Sequence, residues 1–382
     1  MLRAIELFAG AGGLGVGVSR AGIHPALIVE RDKWCCHTLR ENRESFYPGC
    51  PPPIEDDVRA IDFRPHRGEI DVVTGGPPCQ PFSLGGKHRA HADHRDMWPQ
   101  AVRVVRETRP RAFIFENVRG LTRQTFADYL GYILLQLQHP SLAKRDEEAW
   151  TSHLARLQKR HTGKNQVEYR VLHQVLDAAD YGVAQRRHRV VFVGFRADID
   201  AGWSFPPPTH SGAALARAQM AGDYWDRRNV PTRDRIAFKS KAAETGAALP
   251  WATVRDALAG LPDPRSKAAA DWRDHRFQDG ARSYAGHTGS FIDQPAKALK
   301  AGVHGVPGGE NMLRLADGST RYFTIREAAR LQAFPDHWRF HGSWSEAMRQ
   351  LGNAVPTTLA HVVAASVRRN LEPRFSARSA TT

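Results

Sequence analysis

The stretch "GGPPCQPFSLGGK" (75–87) sets one thiol, Cys79, behind a proline pair and ahead of a glycine pair. Prolines fix the backbone before the cysteine, whereas Gly85 and Gly86 leave the segment beyond it free to swing. A thiol on a stiff root beside a moving segment suits a nucleophile that is covered once its substrate has arrived. The plainer reading is a buried cysteine next to a turn. Glu116-Asn117-Val118 follows the apolar run "AFIF", and "QRRHR" (185–189) precedes the apolar run "VVFVGF". Alternation along a strand places Arg187 and Arg189 on one face. Thiol, carboxylate and guanidinium thus fall at the ends of candidate strands, where open α/β sheets bind ligands.

A second group of residues points to a nucleotide. "LFAGAGGLGVG" (7–17) contains G-x-G-x-x-G as Gly10, Gly12 and Gly15, between a candidate strand and a candidate helix. Glu30 ends the next strand, at the distance where a carboxylate accepts from ribose hydroxyls. Asp57, in "EDDVRAIDF", stands where a carboxylate accepts from an adenine amino group, with Val58 against the ring. Enzymes of nicotinamide dinucleotides and of S-adenosylmethionine (AdoMet) both use this pattern, and these residues alone leave both open.

The elements that must hold these groups are legible as alternating units. "AIELFAG", "HPALIVE", "DVVTGG", "AFIFENV" and "HRVVFVGF" read as strands, with "DKWCCHTLREN" and "PQAVRVVRET" as helices between them. Strands apolar nearly throughout suit a mostly parallel sheet covered on both faces. Residues 138–165 are charged and read as a surface insertion, helical in part and without chemistry. Residues 212–320 are rich in Gly, Pro, Arg and Ala with no clear period, so a second, irregular domain is expected there. "GNAVPTTLAHVVAASVRRN" returns to a clean helical spacing.

The chain has 54 Lys and Arg against 40 Asp and Glu, a net +14, which favours a polyanionic partner, nucleic acid first. Its four cysteines, Cys35, Cys36, Cys50 and Cys79, are expected as free thiols in a reducing, cytoplasmic compartment. "MLRAIELFAGAGG" does not read as a secretory signal, and no run reaches the roughly 18 apolar residues of a membrane helix. Cys35-Cys36-His37 lacks a second ligand pair at zinc spacing, so no metal is expected.

Taken in order, "ELFAGAGGLGVG", "GGPPCQPFS", "ENVRG", "QRRHRVVFVG", "REAARLQAFPD" and "GNAVP" span nearly the whole chain. In these motifs the chain resembles the C5-cytosine-specific DNA methyltransferases, of the bacterial restriction-modification type. The resemblance implies an α/β fold of the AdoMet-dependent, Rossmann-like kind. Its mixed, mostly parallel sheet would lie in a catalytic domain over 1–200, completed by 345–382. A smaller irregular target-recognition domain and hinge would occupy 201–344. It implies transfer of the methyl group of AdoMet to C5 of a cytosine flipped out of a specific duplex DNA sequence. A tRNA cytosine methyltransferase on the same fold, or an inactive DNA-binding homologue, are the alternatives. Cytoplasmic action on the nucleoid as a monomer, with a cognate restriction endonuclease as functional partner and no membrane, follows from the same resemblance.

The chemistry explains the residue types. C5 of cytosine is a poor nucleophile, and a thiolate adding at C6 turns it into an enamine-like carbon. By the resemblance Cys79 is that thiolate, Glu116 supplies or shares a proton at N3, and Arg189 holds the base O2 and orients Glu116. Arg187 is expected near the thiolate and a phosphate, while Arg186 and His188 would meet solvent or backbone. Phe8 would stack on the adenine, with Gly10, Gly12, Gly13 and Leu14 as the cofactor loop and Glu30 on the ribose. Asp57 and Val58 would hold the adenine, Trp98 would line the pocket, and Asn353 would bind near the methionine end. Pro77 and Pro78 would stiffen the loop root and offer carbonyls toward the base and cofactor. Gln80, Ser83 and Gln185 are expected on DNA. Arg31 departs from the family, which often has an aromatic or aliphatic residue after the ribose glutamate. "TIREAARLQAFPDHW" (324–338) is expected to be scaffold.

Overall fold

The computed structural model describes residues 1–46, 49–78, 96–162, 167–199, 202–237, 247–283, 288–301, 311–315 and 317–372. Cys79, Gln80 and Ser83 lie outside the described residues.

The alternating units form as their patterns require: β1 (Leu2–Leu7), α1 (Gly13–Arg20), β2 (Ile23–Glu30), α2 (Lys33–Phe46), β3 (Ile54–Glu55), β4 (Val72–Gly75), α3 (Trp98–Thr108) and β5 (Ala112–Val118). α4 (Ala127–Gln138), α5 (Trp150–Thr162), β6 (Tyr169–Asp177) and β7 (His188–Arg196) follow. They build one seven-stranded sheet in the order β3-β2-β1-β4-β5-β7-β6. The strands from β3 to β5 are parallel, and β7 runs antiparallel to both β5 and β6. The mixed, mostly parallel α/β sheet is therefore present.

Side-chain alternation splits the sheet between two cores. Ile5, Leu7, Val73, Phe113 and Phe115 pack under α3 and α4, and Ala4, Val72, Ala112 and Ile114 pack on the other face. That second face is covered by α1 and, from far down the chain, by α11 (Thr357–Leu371). β6 gave no apolar run in the sequence because it is an edge strand exposing Arg170, His173 and Gln174. The charged stretch 138–165 is more than a surface insertion: α5 buries Leu157 in the core, and His153 Nδ1 lies 2.7 Å from the Tyr132 hydroxyl.

The later part of the chain contributes α6 (Gly212–Ala221), α7 (Asp223–Asp226), α8 (Val254–Leu258), α9 (Ile325–Leu331), α10 (Trp344–Asn353) and α11. Two small sheets accompany them, one of three strands and one of two. Leu299, Leu313, Phe323, Leu331, Trp338 and Leu351 share one core with Ala9, Ala11, Val16 and Leu39 from the first two βα units. α9 carries a capping box from Thr324 to Glu327, and Arg321 forks the buried Glu327 at 2.7 and 2.6 Å. Buried Arg326 donates to the carbonyls of Pro335 and Trp338, so this segment is scaffold.

α1 and α11 approach closely at Gly17. A Cβ there would stand 2.4 Å from the Ala360 Cβ and 2.5 Å from the Thr357 carbonyl oxygen. Gly131 in α4 has nothing within 4 Å of the same position. Gly17→Ala is expected to destabilise the protein by about 1–3 kcal/mol through overpacking, whereas Gly131→Ala is expected to stabilise it by about 0.4–1 kcal/mol. Urea denaturation of both variants checks the opposite signs.

Candidate active site

The turn from β1 to α1 carries the glycine loop. Phe8, Gly10 and Gly12 have positive φ of 53°, 56° and 87°. Glycine adopts such angles without penalty, while Phe8 carries strain of the kind that gathers at ligand sites. A Cβ on Gly10 would meet nothing within 4 Å, so the space over it is open. One on Gly13 would lie 2.4 Å from the Val355 carbonyl oxygen, and Leu14 is buried beside it, so both serve packing of the loop's helix. Glu30 closes the site from the end of β2. Its Oε2 accepts from the Gly10 N–H, and its Oε1 from the N–H groups of Arg31 and Asp32, each at 2.8 Å. Burial pushes its pKa up, and these three donors oppose the shift.

Past β3, Val58 is buried and Asp57 is partly exposed. Arg59 grips the Asp57 carboxylate through Nε at 2.9 Å and Nη2 at 2.7 Å, and these hydrogen bonds hold its pKa at about 2. Arg31 Nη1 stands 3.6 Å away, so the residue that departs from the family pattern lies beside the carboxylate expected on adenine. Trp98, first residue of α3, is wholly buried, with Phe115 and Phe192 edge-on at 5.9 and 5.0 Å. It is core packing here, not an open pocket wall. Pro78 is exposed after β4, and Asn353 is exposed at the end of α10.

The other end of the site gathers at the ends of β4, β5 and β7. Glu116 is 8% exposed and ion-paired with Arg189, the second residue of β7. The antiparallel register sets Val118 opposite Arg189, which brings the guanidinium back over the carboxylate. Burial pushes the Glu116 pKa up, and Arg189 and then Arg187 pull it back. Gly76 leaves room for this group, since a Cβ there would be 3.2 Å from Glu116 Oε2. Asn117 Nδ2 donates to the Pro77 carbonyl at 2.9 Å, and Asn117 Oδ1 accepts from the Val118 N–H. The proline root is thereby fastened to the strand that carries Glu116. The Pro77 carbonyl, expected on the base, accepts from Asn117 here.

Three expectations from "QRRHR" need correction. Gln185 is 0% exposed, donating to the Leu331 carbonyl and accepting from the Leu299 N–H, so it joins segments and cannot touch DNA. Arg187 is 1% exposed and donates to the carbonyls of Leu299 and Gly352, which leaves no access for a phosphate. Burial pushes its pKa well down. Arg186 pairs with Asp177 and lies 4.3 Å over the Trp251 ring, and His188 is 3.5 Å from Asp177. Neither is a mere solvent or backbone contact.

This chain's residues 2–139 and 155–369 match the family of C-5 cytosine-specific DNA methylases. The chain belongs to that family. This DNA cytosine methylase is 31% identical over 375 residues to the type II methyltransferase M.PspPI of Psychrobacter sp. (strain TA137), covering 96% of this chain and 79% of the relative. It is 30% identical over 368 residues to M.NgoMIV of Neisseria gonorrhoeae, covering 96% and 97%. The solved S. pombe Dnmt2 methyltransferase shares the fold, with a TM-score of 0.57 at 17% identity over 98% of this chain and 99% of that one. Among the methylase's described residues no helix is long and apolar enough to cross a membrane, and no group of three His, Cys, Asp or Glu is placed to hold a metal.

Sequence reasoning missed Glu6 of β1. It is 1% exposed, and no side chain among the described residues hydrogen-bonds its carboxylate, which faces the Gly15 N–H in the first turn of α1. Burial pushes its pKa from the ordinary 4.5 up to about 8, opposed by the Gly15 N–H and reinforced by Glu30. The unfolded chain ionises this group near 4.5, and the folded methylase keeps it protonated until about 8. Stability relative to Glu6→Gln is therefore lost as pH rises through that window and is level above it. Urea denaturation of both proteins across the window is expected to show the variant gaining steadily on the wild type.

Proposed function

We propose that this methylase transfers the AdoMet methyl group to C5 of a flipped cytosine in duplex DNA, through a covalent bond from Cys79 to C6. The observation that supports the reading best is the buried Glu116–Arg189 pair, tied by Asn117 to the proline root that precedes Cys79. A carboxyl group whose burial favours its protonated form suits donation to the ring N3, and Arg189 is placed to steady it and to meet the base O2. Proton gain at N3 withdraws charge from the ring as sulfur adds at C6. C5 then carries the electrons that take up the methyl group. With the donor's sulfur left as a neutral thioether, loss of the C5 proton to a base, expulsion of the Cys79 sulfur as thiolate and return of the N3 proton to Glu116 restore the ring and the enzyme.

The open space over Gly10, the strained Phe8 and the carboxylate of Glu30 fit an adenosyl cofactor. Bound AdoMet supplies an electrophilic methyl group. Glu30 is assigned to the ribose, Phe8 to the adenine face, Asp57 and Val58 to its edge, and Asn353 to the methionine end. Arg187 supports the site from behind by holding the segments of Leu299 and Gly352. Gln80 and Ser83, beside Cys79, are assigned to DNA. The relatives' names as type II methyltransferases support protection of DNA against a partner endonuclease.

Cys79→Ser is expected to abolish methyl transfer to duplex DNA while leaving AdoMet affinity within about twofold, because a hydroxyl is far less ionised than a thiol. Tritium counting from labelled AdoMet and calorimetry on one preparation check both halves. Near-normal turnover in the variant would remove the covalent mechanism, and label entering tRNA but not duplex DNA would move the substrate to RNA.

Base reading is assigned to residues 212–320, since Glu116 and Arg189 meet any cytosine alike and only groove contacts distinguish flanking sequence. Exchanging that region with a relative's is expected to change the methylated sequence and leave the chemistry intact. Sequencing of plasmid methylated by the chimera checks it; an unchanged target in an active chimera would place specificity elsewhere.

A further inference from the structure

Helix α10 touches both ends of the site. Near its C-terminus the Gly352 carbonyl accepts from Arg187, the guanidinium behind Glu116. One turn earlier, Arg349 Nη2 donates to Asp32 Oδ1 at 3.0 Å and Oδ2 at 2.9 Å, and its Nε and Nη2 reach Glu346 at 3.0 and 2.8 Å. Asp32 is not an ordinary surface partner. Its own N–H is one of the donors that orient Glu30, and its Oδ1 accepts from the Cys35 N–H at the start of α2. Glu30 alone carries the ribose assignment, and two of its three donors, Arg31 and Asp32, sit on the turn that Arg349 grips.

The helix itself has little freedom to shift. A Cβ on Gly352 would stand 2.2 Å from the Ala301 nitrogen, and Gln350 is locked between the Thr38 hydroxyl and the His341 carbonyl. A guanidinium on a fixed helix thus holds the turn from β2 to α2. Nothing in the motif reading touched this pair, because its members are 317 positions apart.

We propose that Arg349 is a positioning residue for cofactor binding, acting through Asp32 to hold the Glu30 carboxylate in the geometry that receives the ribose hydroxyls. The proposal rests on the AdoMet reading given above. Nη2 alone reaches both Asp32 oxygens while Nε is held on Glu346, so the guanidinium that grips the turn is itself anchored on the helix. Without it the Asp32 N–H is free to drift and Glu30 keeps its charge but loses its aim.

Calorimetric titration with S-adenosylhomocysteine and with its 2′-deoxy counterpart tests this without any need for DNA. Arg349→Met is expected to weaken S-adenosylhomocysteine about five- to tenfold and to weaken the 2′-deoxy ligand less, so that the ratio between the two shrinks. Asp32→Asn is expected to move the same ratio, the double variant to be no weaker than the weaker single one, and Arg349→Lys to recover part of the loss. Equal weakening of both ligands would make Arg349 a general structural residue, and an unchanged Kd would remove its role; either overturns the proposal. A wild-type protein that binds neither ligand would instead bring down the cofactor reading itself, and this is visible before any substitution is made.

Discussion

A carboxyl group as buried as Glu116 keeps access to its charged form in this core because Arg189 lies against it. Taking either charge out of water alone costs several kcal/mol, so each requires the other. The rest of the architecture can be read as what that pair demands. Arg189 reaches the end of β5 only if β7 runs antiparallel to it, in a sheet otherwise parallel from β3 to β5. Arg187, just before β7, is then driven inside as well and must find acceptors. It finds them in Leu299 and Gly352, two segments far down the chain, so the later half has to fold back over the first. Asn117, next to Glu116, uses its amide to fix the proline root on the other side.

The fold was largely legible because its strands are short apolar runs bounded by glycine or charge. β6 escaped for a physical reason: as an edge strand it exposes residues on both of its faces, and Arg170, His173 and Gln174 break the run. The site was legible where a local pattern carries it, as in the glycine loop with Glu30 and in Glu116 with its following Asn-Val. It was illegible where partners come from far away. Gln185 and Arg187 look like polar groups offered to a ligand, yet distant carbonyls claim them. Asp57 looked free for an adenine, and Arg59 and Arg31 crowd it. Glu6 has no local signature at all, since only the assembled core makes its carboxyl abnormal. The same holds for the net charge of +14: Arg187, Arg321 and Arg326 are buried, so the basic surface is narrower than the composition suggests.

The packing of α11 against α1 has a consequence for how the protein is made. Arg368 of the last helix donates to the Ala21 carbonyl just past the first, 347 positions earlier. At ribosomal speeds of about 5–20 residues per second, that spacing means a delay of about 20–70 s between the two helices. Throughout that interval Leu14 and Val18, and the part of the sheet face that α1 leaves open, lack the cover that α11 gives them. The nascent chain therefore carries an open apolar surface until α11 is made. Arg187 likewise finds its Gly352 acceptor only after α10 has been made, directly ahead of the helix that covers the sheet.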